Sequence, residues 1–304
     1  MKWTSMRMGR RIIATLLLPL VLLSGCSAVR FTYGQAPLLA YWWLDGYVDF
    51  SGEQTPRVKA ALEDYMAWHR ATQLPDYAQL LVRLQAMAQD RVTPAQVCSM
   101  ADELQRRLEL AYEHAVPAMA EIVRGFSLAQ IDHLEKRFER DNYEMARDYL
   151  QPDASDRAEA ALKRTVDRAE SIYGSVEDDQ RALLAAGLAS SPFDPQRWAD
   201  ERRARQRDIL RTLRQLIAAK ADTASFEAAL RAFSAQATQS PRADYRQYRQ
   251  RLFDANCALT AQFHNSTRPA QRQHALNKLK GWTEDARALA ATPAAAVTRP
   301  AVAP

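Results

Sequence analysis

The chain has 304 residues, 47% hydrophobic and 25% charged, with 41 Lys+Arg against 36 Asp+Glu for a formal net charge of +5. That length can build a sizeable core, as one large domain or two closely packed ones. The basic excess is local: Lys2, Arg7, Arg10 and Arg11 fall in the first 25 residues with no acid among them, which leaves 37 bases and 36 acids in the rest. A near-neutral body gives no compositional support for a nucleic-acid partner.

The four bases precede an apolar run from Ile12 to Leu23, IIATLLLPLVLL. Twelve residues interrupted by Pro19 are too few for a bilayer core, which needs about 20 in a helix. The segment therefore reads as a signal peptide. Leu23-Ser24-Gly25-Cys26 resembles the lipobox of bacterial lipoproteins. The resemblance implies cleavage before Cys26, a diacylglycerol on its thiol and an acyl group on its new amine, with no other cofactor. Buried acyl chains hold a protein at roughly 0.8 kcal/mol per methylene. Ser27 follows the cysteine, and under the enterobacterial sorting rule the absence of Asp there implies the periplasmic face of the outer membrane. The expected organisation is a removed signal peptide over 1–25, a lipidated tether over 26–36, a helical periplasmic domain over 37–290 and a disordered Ala/Pro-rich tail over 291–304.

With Cys26 taken by lipid, Cys98 and Cys257 remain in a compartment that oxidises thiols. We expect them to form a disulfide, two buried free thiols being the alternative. Closing so long a loop stabilises by roughly 5 kcal/mol in the chain-entropy account.

Apolar residues recur three and four apart throughout the body and no alternating strand pattern appears. The fold class expected is all-α, about ten helices in an antiparallel array or bundle. Expected spans are 38–50, 56–72, 75–90, 94–124, 127–150, 153–173, 177–190, 195–220, 223–238, 241–264 and 268–290, the first able to run on into its neighbour. Thr55-Pro56, Thr93-Pro94, Ser127, Asp194-Pro195 and Ser240-Pro241 supply caps or first-turn prolines. Gly125 and Gly174 stand where left-handed caps are wanted. Pro117 should kink or divide the fourth span.

Charge is uneven along this array: residues 98–180 carry 11 bases and 19 acids, and 181–304 carry 20 and 10. Arg197, Arg202, Arg203, Arg205, Arg207, Arg211 and Arg214 could turn a basic face to lipid phosphates or an acidic wall polymer. Alternatively, acidic and basic helices neutralise each other where they pack.

The densest motif lies close to the lipobox: Tyr41, Trp42, Trp43, Asp45, Tyr47 and Asp49, ending at Phe50. Asp45 and Asp49 are one helical turn apart. Three readings are open for this helix: an interfacial aromatic belt, a binding site edged with carboxylates, and core docking through a stripe at 39, 43, 47 and 50.

A lipobox followed by Ala36-Pro37, the Tyr41-Trp42-Trp43-Leu44-Asp45 helix, Trp68-His69 and Leu74-Pro75-x-Tyr77 resembles an uncharacterised family of proteobacterial lipoproteins. The resemblance implies a lipid anchor and helices, and no activity. Val92-Thr93-x-x-Gln96 and Phe126-Ser127-x-x-Gln130 are similar to the Leu-Thr-x-x-Gln signature of Spy-like periplasmic chaperones, and each also fits a capping box.

Enzyme signatures are missing: no H-E-x-x-H, paired E-x-x-H, C-x-x-C, G-x-S-x-G or phosphate-cradling glycine loop occurs. His69, His114, His133, His264 and His274 have no metal-ligand spacing. The expectation is a non-catalytic binding or structural protein of the cell envelope, anchored by lipid and contacting another envelope protein or a wall polymer. A chaperone-like or stress-sensing role is one alternative, and an envelope enzyme whose site is assembled from distant helices is the other.

Overall fold

The computed structural model of the chain describes residues 28–292, so the signal peptide, Cys26 and the tail from 293 lie outside the described residues. The helices are α1 (Ala28–Gly34), α2 (Ala36–Val48), α3 (Gln54–Trp68), α4 (Leu74–Gln89), α5 (Pro94–Val123), α6 (Leu128–Tyr149), α7 (Ala154–Tyr173), α8 (Asp178–Ala189), α9 (Pro195–Ala218), α10 (Thr223–Thr238), α11 (Ala243–Ser266) and α12 (Pro269–Ala291). The architecture is all-α, with no strand among the described residues.

Local chemistry sets the starts. Thr93 and Ser127 accept hydrogen bonds from the backbone of Gln96 and Gln130, whose side chains return the bond. Both motifs are thus capping boxes. Asp153, Asp194 and Asp222 cap α7, α9 and α10. Gly174 closes α7 at φ 90°, as expected, whereas Gly125 is not among the residues of positive φ. The chain after α5 turns through ordinary backbone, held by Gly125 N–H to Ile122 O at 3.0 Å.

Three expectations are corrected. Residues 28–34, read as tether, form α1. The break expected between 72 and 75 is instead a π-helical turn, His69–Gln73, joining α3 to α4. Pro75 has no N–H and its ring crowds the preceding turn; widening that turn by one residue, with Leu74 N–H on His69 O, lets the rod continue. Pro117 does not divide α5, which runs unbroken for 30 residues. The proline faces solvent between the fully buried Val116 and Ala120, and α10 packs along the same helix.

The larger core gathers Val48, Val116, Ile131, Leu210, Leu213 and Phe226, and a smaller one gathers Val166, Leu184 and Phe263. Each core is closed by a reciprocal glutamine pair with the same wiring. In the first, Gln130 Nε2 donates to Gln54 Oε1 at 2.7 Å and Gln54 Nε2 to Gln130 Oε1 at 3.3 Å. In the second, Gln180 and Gln271 exchange the same bonds at 2.9 and 2.8 Å. All four amide oxygens also accept the backbone N–H three residues earlier, at Ser51, Ser127, Glu177 and Arg268. All four amide nitrogens also donate to the carbonyl five residues before the partner glutamine: Gly125, Asp49, Ser266 and Ser175. Every donor of these amides is satisfied, as burial of Gln180 at 0% exposure requires.

The equivalence extends to the helices. Helices α2, α3, α5 and α6 contact one another as α7, α8, α11 and α12 do: first with second, second with third, first with fourth. Side chains follow the register: Tyr47 and Tyr173 stand seven residues before the clasp glutamines, Phe50 and Val176 four before, and Val58 and Leu184 four after. The body therefore holds two copies of one four-helix arrangement, with α1, α4, α9 and α10 outside it. Inserted helices lock the copies together: α4, which follows α3 of the first, packs on α12 of the second, and α9, which follows α8 of the second, packs on α6 of the first. The Cys98–Cys257 disulfide, with Cα atoms 5.4 Å apart, joins the corresponding helices α5 and α11.

Candidate functional site

The aromatic motif forms α2. Pro37 suits the first turn, and the helix ends where Asp49 turns left-handed at φ 58°, its N–H on Asp45 O at 2.8 Å. Asp tolerates that conformation better than most residues. The carboxylate of Asp45 accepts Phe50 N–H at 3.0 Å, and the Asp49 carbonyl belongs to the glutamine clasp. Both residues thus shape the helix end, Asp45 through its carboxylate and Asp49 through its backbone, while the Asp49 side chain is exposed.

Inward, Tyr41 is buried, shares a hydrogen bond with Thr55 Oγ1 at 3.0 Å and stacks on Phe50. Tyr47 donates to Asp141 Oδ2 at 2.6 Å, with the Arg137 guanidinium 4.8 Å from its ring centroid. Burial and the Asp141 bond both push the Tyr47 phenol up. Outward, Leu38, Leu39, Trp42 and Trp43 form one exposed apolar face, the tryptophans at 61% and 62% exposure. The stripe expected at 39, 43, 47 and 50 is thereby split: Tyr47 and Phe50 pack on the core, while Leu39 and Trp43 face away from it. Residues 38, 39, 42, 43 and 46 recur with helical period, and Gly46 adds no bulk between the two indoles and the open surface.

Helix α1, which packs beside α2, adds another exposed aromatic, Phe31 at 73%. Polar contacts tie it to the body: Arg30 Nε bonds the buried Asp285 at 2.7 Å, and Tyr33 Oη meets His69 Nδ1 at 2.9 Å beneath the Arg70 guanidinium. His69 sits in the π-helical turn beside Tyr65, Trp68 and Tyr77, while Trp68 stacks on His114 at 3.7 Å. Burial lowers the His69 pKa, so the ring is a neutral hydrogen-bonding strut for α1 near pH 7.

The arginines of α9 are largely neutralised. Arg197 pairs with Asp244, Arg203 with Asp200, Arg211 with Asp208, and Arg214 with both Asp132 and Glu135. Arg202 bonds the Asn142 amide at 2.9 Å near Asp141. Of these arginines, only Arg214 and Arg202 meet carboxylates of α6; Arg203 and Arg211 pair within α9, and Arg197 pairs with α11. Among the described residues, no three His, Cys, Asp or Glu side chains converge as a metal site, and no helix is long and apolar enough to cross a membrane.

Sequence reading marked the aromatic residues but not which of them face outward, because α2 is apolar all round and its periodicity is weak. It missed the glutamine clasps, although Ser51-x-x-Gln54 and Ser127-x-x-Gln130 carried the capping signal. Fold and site together define a disulfide-linked helical protein, built around two interlocked units, that presents an exposed aromatic face among the described residues. The chain belongs to the family of unknown function DUF6279, whose model matches residues 46–246. That match begins inside α2 and ends inside α11, so it spans the first glutamine clasp and half of the second. No curated protein and no solved structure matches the chain.

Proposed function

We propose that the chain is a lipoprotein held through acylated Cys26 at the periplasmic face of the outer membrane, with a non-catalytic binding or structural role in the envelope. In this reading the outward face of α1 and α2 rests in the bilayer interface and fixes how the helical body is presented to an envelope protein or wall polymer. The observation that carries it is the run of Phe31, Leu38, Leu39, Trp42 and Trp43, all exposed, beginning five residues after Cys26. Cys26 is two residues from the start of α1, at most about 7 Å of chain. As a helix, α1 advances about 1.5 Å per residue, so the tether is shorter than an extended strand and the aromatic face stays beside the acyl chains. Tryptophan favours that depth, where its ring meets acyl chains and its N–H meets headgroups. Sinking the exposed part of each indole contributes at most about 2–3 kcal/mol. Acyl chains already supply firm retention, so the face sets orientation rather than attachment.

The test uses the chain from Cys26 onward with Cys26→Ser, which has no acyl chains, mixed with phosphatidylethanolamine–phosphatidylglycerol vesicles carrying brominated lipid. Quenching of tryptophan emission that disappears in Trp42→Phe/Trp43→Phe is expected. Quenching that persists unchanged in that variant, or none at all, contradicts the interfacial placement.

A further inference from the structure

The first helix of each four-helix unit leaves part of the same face open, although Ala169 of α7, the counterpart of Trp43, packs on the smaller core. Counting back from the clasp glutamines, Leu38, Leu39 and Trp42 of α2 correspond to Arg164, Thr165 and Arg168 of α7. On α7 that face borders a groove of about 660 Å³ between α7, α8 and the start of α9, within the range of about 300–1,000 Å³ usual for binding clefts. Its lining is mostly apolar: Ala161 and Leu162 of α7, Ala185 and Leu188 of α8, Trp198 of α9 and Leu252 of α11. Small side chains on two adjacent helices leave a slot that a third helix can approach closely.

One edge of the slot is basic. Arg157, Arg164 and Arg168 line it, against Glu159 as the carboxylate in the lining. They lie on one stripe of α7, at intervals of seven and four residues. None reaches a carboxylate within ion-pair distance among the described residues. Arg157 donates to the carbonyls of Gln151 and Pro152, Arg164 donates to the Asp148 carbonyl at 2.9 Å while covering the Tyr149 ring, and Arg168 is exposed with no ion pair among the described residues. The contrast with α9 is sharp, since most arginines there are paired.

The distribution of the charges selects the occupant. Eleven residues of helix place the three guanidinium groups along about 16 Å of edge, whereas an acyl amphiphile brings one charged head. A helix with apolar residues on one side and Asp or Glu at three- and four-residue spacing along its border meets every arginine and fills the floor. We propose that the groove between α7 and α8 binds an acidic amphipathic helix of a partner protein. The two units then use the same helix face for different surfaces, a bilayer in the first and a protein helix in the second. The groove proposal does not depend on acylation.

Fluorescence anisotropy of a labelled synthetic helix of about 15 residues, Leu and Ala on one face and Glu along the edge, tests this with the Cys26→Ser chain. A peptide with Lys for Glu and a fluorescent dodecanoate are the comparison probes. The Glu peptide is expected to bind and the Lys peptide not. Arg168→Glu should weaken the Glu peptide about tenfold or more and steepen no salt dependence. Ala189→Trp, at an exposed position lining the groove, should abolish binding while circular dichroism and melting stay as in the parent. Equal binding of the two peptides, binding that survives Ala189→Trp, or no peptide binding overturns the proposal. Dodecanoate binding that is tighter than the peptide's and lost in Ala189→Trp overturns it in favour of a lipid.

Discussion

Reducing the Cys98–Cys257 disulfide should lower the stability of the folded chain by roughly 5 kcal/mol, because the bond closes a loop whose ends are 159 residues apart. The argument is about the unfolded chain. Helices α5 and α11 remain packed without the bond, with Cys257 buried at 3% exposure, so what reduction releases is conformational freedom in the denatured ensemble. Typical domains have about 5–15 kcal/mol in all, so the loss is a third or more of the total and corresponds to a fall in melting temperature of about 10 °C or more. Guanidinium unfolding followed by circular dichroism, with and without reductant and in Cys98→Ser/Cys257→Ser, measures it. Titration of two free thiols with no change in the unfolding midpoint would refute the reasoning.

Gln180→Leu should cost about 2–4 kcal/mol, since Gln271 and the Ser266 carbonyl lose buried partners; Gln54→Leu, in the more exposed first clasp, should cost less by the same unfolding assay. His264 is buried, its Nε2–H on the Asp90 carbonyl at 2.8 Å and its Nδ1 accepting from Tyr173 Oη at 2.8 Å. Burial, helped by Arg272 and opposed by the Asp90 bond, lowers its pKa below 6.5, so the unfolded chain binds this proton first. Its share of stability is full above about pH 6.5 and falls as pH drops toward the folded pKa. Melting temperatures between about pH 7.5 and 5 should show this slope, reduced in His264→Gln; an unaltered slope contradicts the assignment. Gly187→Ala should cost about 1–3 kcal/mol, because the new methyl overlaps Leu259 Cδ1 and lies 3.1 and 3.2 Å from Cδ2 and Cγ; a melting temperature equal to the parent's counts against that packing.

Most helices were legible because their signals are local. Caps such as Thr93, Ser127 and Asp194 and first-turn prolines mark starts within a residue or two, and three- and four-residue periodicity marks lengths. The errors came from tertiary packing. Pro117 sits on the exposed side of a helix held by packing against α3, α10 and α11, and Pro75 is absorbed by a π turn that no propensity signals. Helix α1 hides in a short polar and aromatic stretch, and its ties to Asp285 and His69 reach 255 and 36 residues away. The aromatic site was visible as composition but not as geometry: Tyr41 and Trp42 are neighbours in sequence, yet one is buried and the other exposed. The groove beside α7 has no linear signature, because its lining comes from five helices and its meaning from which arginines lack carboxylates.

The central claim is that Cys26 carries the lipid that brings the aromatic face to the membrane. Metabolic labelling with a palmitate analogue and membrane fractionation of the full precursor and its Cys26→Ala variant test it most directly. A labelled parent in the outer-membrane fraction and an unlabelled variant released from it are the results predicted; an unlabelled parent, or a variant still labelled and membrane-bound, would contradict the account.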